Sequence, residues 1–176
     1  GRDMFLAAGY HEIGMDHFAL ATDSLYQADE KKQLHRNFMG YTAQHTNILI
    51  GLGVSSISDC GTAFAQNAKT LEEYQQMLRE EQLPVQKGHL LTEDDLTTRK
   101  HILNLMCKGS TSCAEAIPEQ VQQRLMPLLA DSLVTLNAEK VTITPSGKPF
   151  LRNVCMAFDD RLWLKQPQTQ LFSAAI

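Results

Sequence analysis

Apolar positions along this chain change their period several times, and each change marks a predicted element. Met4, Phe5 and Ala8 share one helical face over residues 2–9, and Gly9 stands where a left-handed C′ residue closes such a helix. Ile13, Met15 and Phe18 then alternate imperfectly with polar neighbours, which predicts one half-buried strand over 10–18. A parallel-type strand standing alone leaves backbone groups unpaired on both sides, so this one calls for a sheet supplied from elsewhere. Residues 23–33 are polar and free of breakers, and predict a short surface helix. Further on, glycines at 40, 51, 53 and 61 punctuate a short apolar run at 48–52 and predict tight turns or close backbone approach.

The later pattern is more regular. Thr70 followed three residues on by Glu73 is a capping box, and Leu71, Tyr74 and Leu78 carry a helix from it to about Glu81, before Pro84. Thr92-Glu93-Asp94-Asp95 repeats the device with acids at the positive end of the helix dipole. The helix it opens runs to about Cys107, with Leu96, Leu103, Met106 and Cys107 as its stripe, widened by Ile102 and Leu105. Pro118 suits a first helical position before Val121, Leu125 and Leu128, whereas Pro127 predicts a kink or two short helices. Residues 133–136 and 141–144 are β-branched alternating runs joined through 137–140, which predicts a hairpin. Thr144 and Pro145 then open a final helix carrying Phe150, Leu151, Val154, Cys155 and Phe158 on one side. Pro167 among glutamines predicts an extended tail over 166–176.

The predicted class is α+β, mainly α: a helical domain over 46–165 whose hairpin gives it a winged-helix-like arrangement, preceded over 1–45 by a strand without its sheet. A winged-helix shape invites a DNA-binding reading, and charge decides against it. From Glu115 to Arg161 five bases (Arg124, Lys140, Lys148, Arg152, Arg161) face six acids (Glu115, Glu119, Asp131, Glu139, Asp159, Asp160), a net of −1. Phosphate-driven binding needs clustered cations, so nucleic acid is not an expected partner.

The whole chain of 176 residues, 43% hydrophobic and with a net charge of −4, likewise gives no long-range attraction to anionic lipid. No apolar run is long enough to span a bilayer and no secretory signal is visible, so the expected location is cytoplasmic. Cys60, Cys107, Cys113 and Cys155 have no disulfide-framework spacing and are expected to be thiols. The histidines form no His-x3-His site, and neither a phosphate loop nor a Gly-x-Ser-x-Gly elbow is present. No catalytic residue and no metal ligand is assigned.

The remaining signal is a set of ordered blocks. They are Gly14-Met15-Asp16-His17-Phe18-Ala19, His35-Arg36-Asn37-Phe38-Met39-Gly40-Tyr41-Thr42, Gly51-Leu52-Gly53-Val54-Ser55-Ser56-Ile57-Ser58, Gln66-Asn67, and Arg152-Asn153-Val154-Cys155-Met156-Ala157-Phe158-Asp159. They resemble oxygen-independent coproporphyrinogen III oxidases, radical S-adenosylmethionine (SAM) enzymes of haem synthesis. The resemblance implies that 1–45 ends with the last strand of a (β/α) barrel and that 46–165 is the winged-helix-like C-terminal domain. It also implies SAM and a 4Fe-4S cluster as cofactors and coproporphyrinogen III as substrate. The chain's own N-terminal barrel would be its partner, the whole being a monomer.

The cluster motif Cys-x3-Cys-x2-Cys is absent here, so this portion is expected to be inactive by itself. The resemblance assigns Ile57, Phe38 and Met39 to the SAM pocket; position 39 is commonly glutamine in the family, and a thioether scarcely hydrogen-bonds. Arg36 is a candidate partner for a carboxylate of SAM or of the porphyrinogen. Asp16 and His17 lie at the expected strand end, with a turn-capping role for the aspartate. After Cys107, Lys108-Gly109-Ser110-Thr111 replaces the start common in relatives, which predicts an earlier helix end. Two alternatives stand beside this reading. One is the related haem chaperone, which carries His-Asn-x-x-Tyr-Trp where this chain has the Arg36–Thr42 block; the other is a free-standing winged-helix module.

Overall fold

The computed structural model describes residues 1–164, and the tail expected at 166–176 lies outside the described residues. Helices alternate with small antiparallel sheets, a mixed α+β arrangement. The chain divides into two compact units: Gly1–Ala43 together with the chain from Thr98 onward, and Gln44–Thr97 between them. The boundaries between them fall after Ala43 and after Thr97.

In the first unit, α1 (Arg2–Ala7) ends at Ala8, and Gly9 takes φ +84, the left-handed closure its position predicts. Residues 10–18 are not one lone strand. β1 (Tyr10–Gly14) and β2 (His17–Leu20) form an antiparallel hairpin that reverses at Met15, whose φ is 52°. Met15 and Asp16 at the turn are not a strong turn dipeptide, and the imperfect alternation of Ile13, Met15 and Phe18 spans them, which is why the segment reads as one strand. Folding back also supplies the hydrogen-bond partners a lone strand lacks. Asp23 caps α2 (Ser24–Glu30) by accepting from Leu25 N at 2.7 Å. The next block, expected as a loop, is a second hairpin of β3 (His35–Asn37) and β4 (Gly40–Thr42), with Arg36 opposite Tyr41.

The continuation of this unit is built on α4 (Glu93–Lys108), β8 (Ser110–Ser112), α5 (Glu119–Ala130), β9 (Val134–Leu136) and β10 (Lys140–Ile143). The expected hairpin is present as β9 and β10. The segment after Cys107 adds β8 as a third strand, giving the order β8-β10-β9. Asn137 shapes the turn, its Oδ1 accepting from Glu139 N and Lys140 N at 3.1 and 2.7 Å. Pro127 lies inside a continuous α5. The carbonyl that loses its helical partner is that of Gln123, an exposed residue, where solvation offsets the missing donor.

The most buried residues of α4 are Leu105 and Cys107, both of the expected stripe, and His101, which lies outside it. Leu105 joins Leu125, Val141 and Val154 as the most deeply buried side chains. The single final helix is instead a 3₁₀ turn (Pro145–Phe150) followed by α6 (Leu151–Met156) and α7 (Asp160–Leu164). Pro149 has no N–H to continue an α-helical ladder from the Thr144 cap, so the first stretch tightens. Its apolar face is as expected, with Leu151, Val154, Cys155 and Phe158 buried. α7 is held by Trp163 Nε1 donating to Met156 O at 2.8 Å and by Arg124, which donates to Ala157 O at 3.0 Å and packs on the indole.

The second unit combines the helix expected at Thr70 with a three-stranded antiparallel sheet that the apolar pattern does not announce. It contains β5 (Ile57–Asp59), β6 (Ala63–Asn67) and β7 (Val85–Leu90), with α3 (Leu71–Arg79) between the last two. Its strands escape a reading by periodicity because Ala63-Phe64-Ala65-Gln66-Asn67 has no clean alternation and every residue of β7 is exposed. Both capping boxes form. Thr70 Oγ1 accepts from Glu73 N at 3.3 Å and donates to the Glu73 carboxylate at 3.0 Å, while Thr92 and Asp95 exchange bonds of 3.0 and 3.2 Å. The buried side chains here include the polar Asp59 and Asn67, whereas Ile48, Ile50, Leu52, Leu83 and Leu90 are exposed. Hydrogen bonding, more than an apolar core, fixes this unit's loop.

Candidate functional site

Arg36, Phe38 and Met39 occupy the β3–β4 hairpin of the first unit. Asn37 tightens its tip, its Oδ1 accepting from Met39 N at 2.8 Å. Gly40 follows at φ +128, a conformation that favours glycine, and a Cβ there would also come within 2.8 Å of His17 Nε2. The tip therefore holds Phe38 half exposed and Met39 86% exposed, so neither is a core residue under a loop. Met39 offers an open thioether surface.

Beneath the tip, Tyr41 organises three groups. Its hydroxyl donates to Met106 O at 3.1 Å, its ring receives the Arg36 guanidinium at 4.6 Å, and His17 meets it edge-on at 5.1 Å. Burial pushes the Tyr41 hydroxyl up to about 12 despite the neighbouring guanidinium, so it stays a neutral phenol. His17 Nδ1 is 2.9 Å from Asp16 Oδ1. The Asp16 carboxyl is held below its usual range, first by its own backbone N–H and further by His17 and Arg36, against the opposing effect of desolvation. Asp16 thus orients the imidazole as well as standing in the turn. The Nη1 of Arg36 is sealed from solvent and has no hydrogen-bond partner. A fully buried donor in that condition is uncommon and costly.

Ile57 lies in the second unit, at the start of β5, in a loop that is rigid for reasons the individual residues do not announce. Asn67 Nδ2 donates to the carbonyls of Gly51 and Gly53 at 3.1 and 2.9 Å, and Gly51 N donates to Ser58 Oγ at 3.0 Å. Ser56 Oγ closes on Leu52 O at 2.7 Å. Gly51 runs so close to Ile57 that a Cβ would stand 2.7 to 2.9 Å from the Ile57 backbone. Asn67 and Ser58 are the residues that sequence reasoning missed in this loop. The available signal was a pair of glycines whose carbonyls must find donors once the loop is folded.

The chain's residues do not suit an iron–sulfur cluster. All four cysteines are free, Cys60 in the second unit and the others in the first, and among the described residues no group of three or more His, Cys, Asp or Glu side chains is arranged to hold a metal. Burial raises Cys107 to about 11 and Cys155 to about 12, keeping both protonated. In the first unit a cleft of about 130 Å³ is lined by Ile13, Leu105 and Leu151 together with Lys32, Lys108 and Lys148. Among the described residues no helix is long and apolar enough to cross a membrane.

No protein-family model matches the chain. Among curated proteins it is 38% identical to the oxygen-independent coproporphyrinogen III oxidases of Synechocystis and of Escherichia coli, over 96% of this chain and 39% of each relative. The protein of the same description from Pseudomonas aeruginosa is 36% identical over 99% of this chain and 40% of its own length. A solved structure, coproporphyrinogen III oxidase (HemN) from Escherichia coli, described as a radical SAM enzyme, superposes with a TM-score of 0.84 at 36% identity. It covers 91% of this chain and 39% of that one. Along nearly its whole length the chain is similar to oxygen-independent coproporphyrinogen III oxidases, and it spans about two fifths of the length of these relatives.

Proposed function

We infer that this chain is the C-terminal portion of an oxygen-independent coproporphyrinogen III oxidase. The whole protein would oxidatively decarboxylate two propionates of coproporphyrinogen III to vinyl groups, giving protoporphyrinogen IX. The observation that carries this reading is similarity to enzymes of that description along 96% of the chain. The ordered motif blocks point the same way. In this reading the first 45 residues complete the barrel, and α4, β8, α5 and the β9–β10 hairpin form the winged-helix-like cover.

SAM and a 4Fe-4S cluster supply the hydrogen-abstracting radical in the whole protein; the cluster's ligands are not in this chain, and no step is assigned here through it. What this chain supplies is positioning and shelter. Phe38 offers an aromatic face and Met39 a flexible thioether to the adenosyl group, in place of the polar contact a glutamine would make. Ile57, in the second unit, would give SAM an apolar contact of its own, on a loop whose shape Asn67 and Ser58 hold. Arg36 meets a carboxylate.

The test is anaerobic turnover. Joined to the barrel encoded upstream and loaded with its cluster, the protein should convert coproporphyrinogen III to protoporphyrinogen IX in the presence of SAM and a reductant, while the 176-residue chain alone forms none. Absence of product from the reconstituted whole protein would reject the reading, and haem binding without turnover would favour a chaperone role.

A further inference from the structure

We propose that Arg36, seated on the face of Tyr41 with His17 at the ring's edge, is the centre of a carboxylate-binding site. The proposal rests on the reading above for its choice of ligands, but its geometry stands apart from it. Arginine carries five donors in a planar fork and no acceptor, and a guanidinium taken out of water is normally satisfied by carboxylate or carbonyl oxygens. Here Nη1 is sealed and unpaired, and the contact the structure gives to the guanidinium is the ring below it.

Nη1 has no partner although the carboxylates of Asp16 and Asp29 lie in its neighbourhood. The Tyr41 hydroxyl spends its proton on Met106 O. Asp16, the nearby acid, turns its Oδ1 to His17 Nδ1 at 2.9 Å and is itself largely exposed. Cys107 and Cys155 are neutral thiols and weak acceptors. The fork is held by stacking and by the Arg36–Tyr41 strand pairing, so its orientation is set before any ligand arrives. Asp16 fixes the imidazole by Nδ1, which leaves Nε2 to face the hairpin where Gly40 carries no side chain. The group that completes this arrangement is a carboxylate, which accepts two parallel bonds from the fork. Two sources share that chemistry: a propionate arm of the tetrapyrrole, and the amino-acid carboxylate of SAM.

Binding to the intact protein separates them. Coproporphyrin III, the stable fluorescent form, and its tetramethyl ester are titrated into wild type and Arg36→Gln; SAM and decarboxylated SAM form the second arm. If the propionate is the ligand, the substitution weakens coproporphyrin binding by about tenfold or more, leaves the ester unchanged, and leaves both SAM forms unchanged. If it is the SAM carboxylate, the loss appears with SAM alone. Arg36→Lys, which keeps the charge but loses the fork, should recover only part of the affinity. Unfolding midpoints of each variant are measured first. Should the glutamine variant not fold, shifts of the Arg36 side-chain NMR signals on titrating wild type with sodium propionate replace it, with sodium chloride as the control.

Equal affinity of wild type and a folded Arg36→Gln protein for all four ligands would overturn the proposal, as would Arg36 signals that ignore propionate. Loss of turnover in a wild-type protein that retains the Arg36-dependent preference for acid over ester would instead count against the enzymatic reading alone.

Discussion

Gly14 and Tyr41 occupy each other's space: a Cβ on Gly14 would stand 2.5 Å from the Tyr41 hydroxyl oxygen and 2.8 Å from Cζ. The first hairpin thus carries glycine where the second hairpin's tyrosine crosses it, and the ring beneath Arg36 is positioned by both. Gly14→Ala should displace the ring and cost about 1–3 kcal/mol by overpacking. Tyr41→Phe should cost about 1 kcal/mol through the lost bond to Met106. Because the phenylalanine also removes the closest clashing atom, the double variant should be less destabilised than the two singles added together. Urea unfolding of all four proteins gives the coupling, and strict additivity would refute the contact.

Asn67 is a second test of geometry, on the loop that carries Ile57. Asn67→Ala leaves the carbonyls of Gly51 and Gly53 without their shared donor in a buried position, at a cost of about 2–3 kcal/mol. Asn67→Asp should be worse, since it turns carboxylate oxygens toward the same carbonyls. Both should also weaken SAM binding in the whole protein. An alanine variant as stable as wild type would mean the clamp is dispensable.

The four thiols should separate by rate. Cys60 is exposed, Cys113 intermediate, and Cys107 and Cys155 are buried and protonated to about 11 and about 12. Alkylation of native protein followed by peptide mass spectrometry should label Cys60 first and Cys113 more slowly, leaving the other two untouched until denaturant is added. Early labelling of Cys155 would contradict the packing around α6.

His101 gives a pH dependence with a definite sign. Its ring is buried, bonded through Nδ1 to Thr111 Oγ1 at 2.8 Å and packed on Phe158, and burial lowers its proton affinity from the ordinary 6.5. A histidine whose folded value is depressed favours the native state above the unfolded value, and that contribution disappears as pH falls through the folded value. Melting temperature should therefore drop on acidification below about 6.5, and His101→Gln should flatten that part of the curve. A parallel acid loss in both proteins would assign it to other groups.

How much of this was legible beforehand depends on how far apart the deciding residues lie. Thr70 with Glu73, Thr92 with Asp95, Asp23 with Leu25, and Asn137 in its turn act across two or three residues, and all were readable or nearly so as local hydrogen bonds. The β9–β10 hairpin was readable because its alternation is interrupted by a turn of suitable residues. The β1–β2 hairpin was not, because no strong turn dipeptide separates Ile13 from Phe18, although the backbone at Met15 adopts φ 52°. The sheet of the second unit was missed because β7 is exposed throughout and β6 has no clean alternation, so neither carries a period to detect. The motif blocks marked Arg36, Phe38, Met39 and Ile57 as candidates; Tyr41, Asn67 and Ser58, which support them, were within the same blocks but without a role.

The sequence by itself determined the helix starts, the later hairpin and the family, because each is written in side chains that act on near neighbours or in motifs that survive as text. Only the tertiary structure decided that α4 buries His101, that Gln44–Thr97 stands as its own unit, and that one nitrogen of Arg36 is sealed without a partner. Burial and hydrogen-bond satisfaction depend on atoms brought from distant parts of the chain, and no local pattern states which of them will arrive.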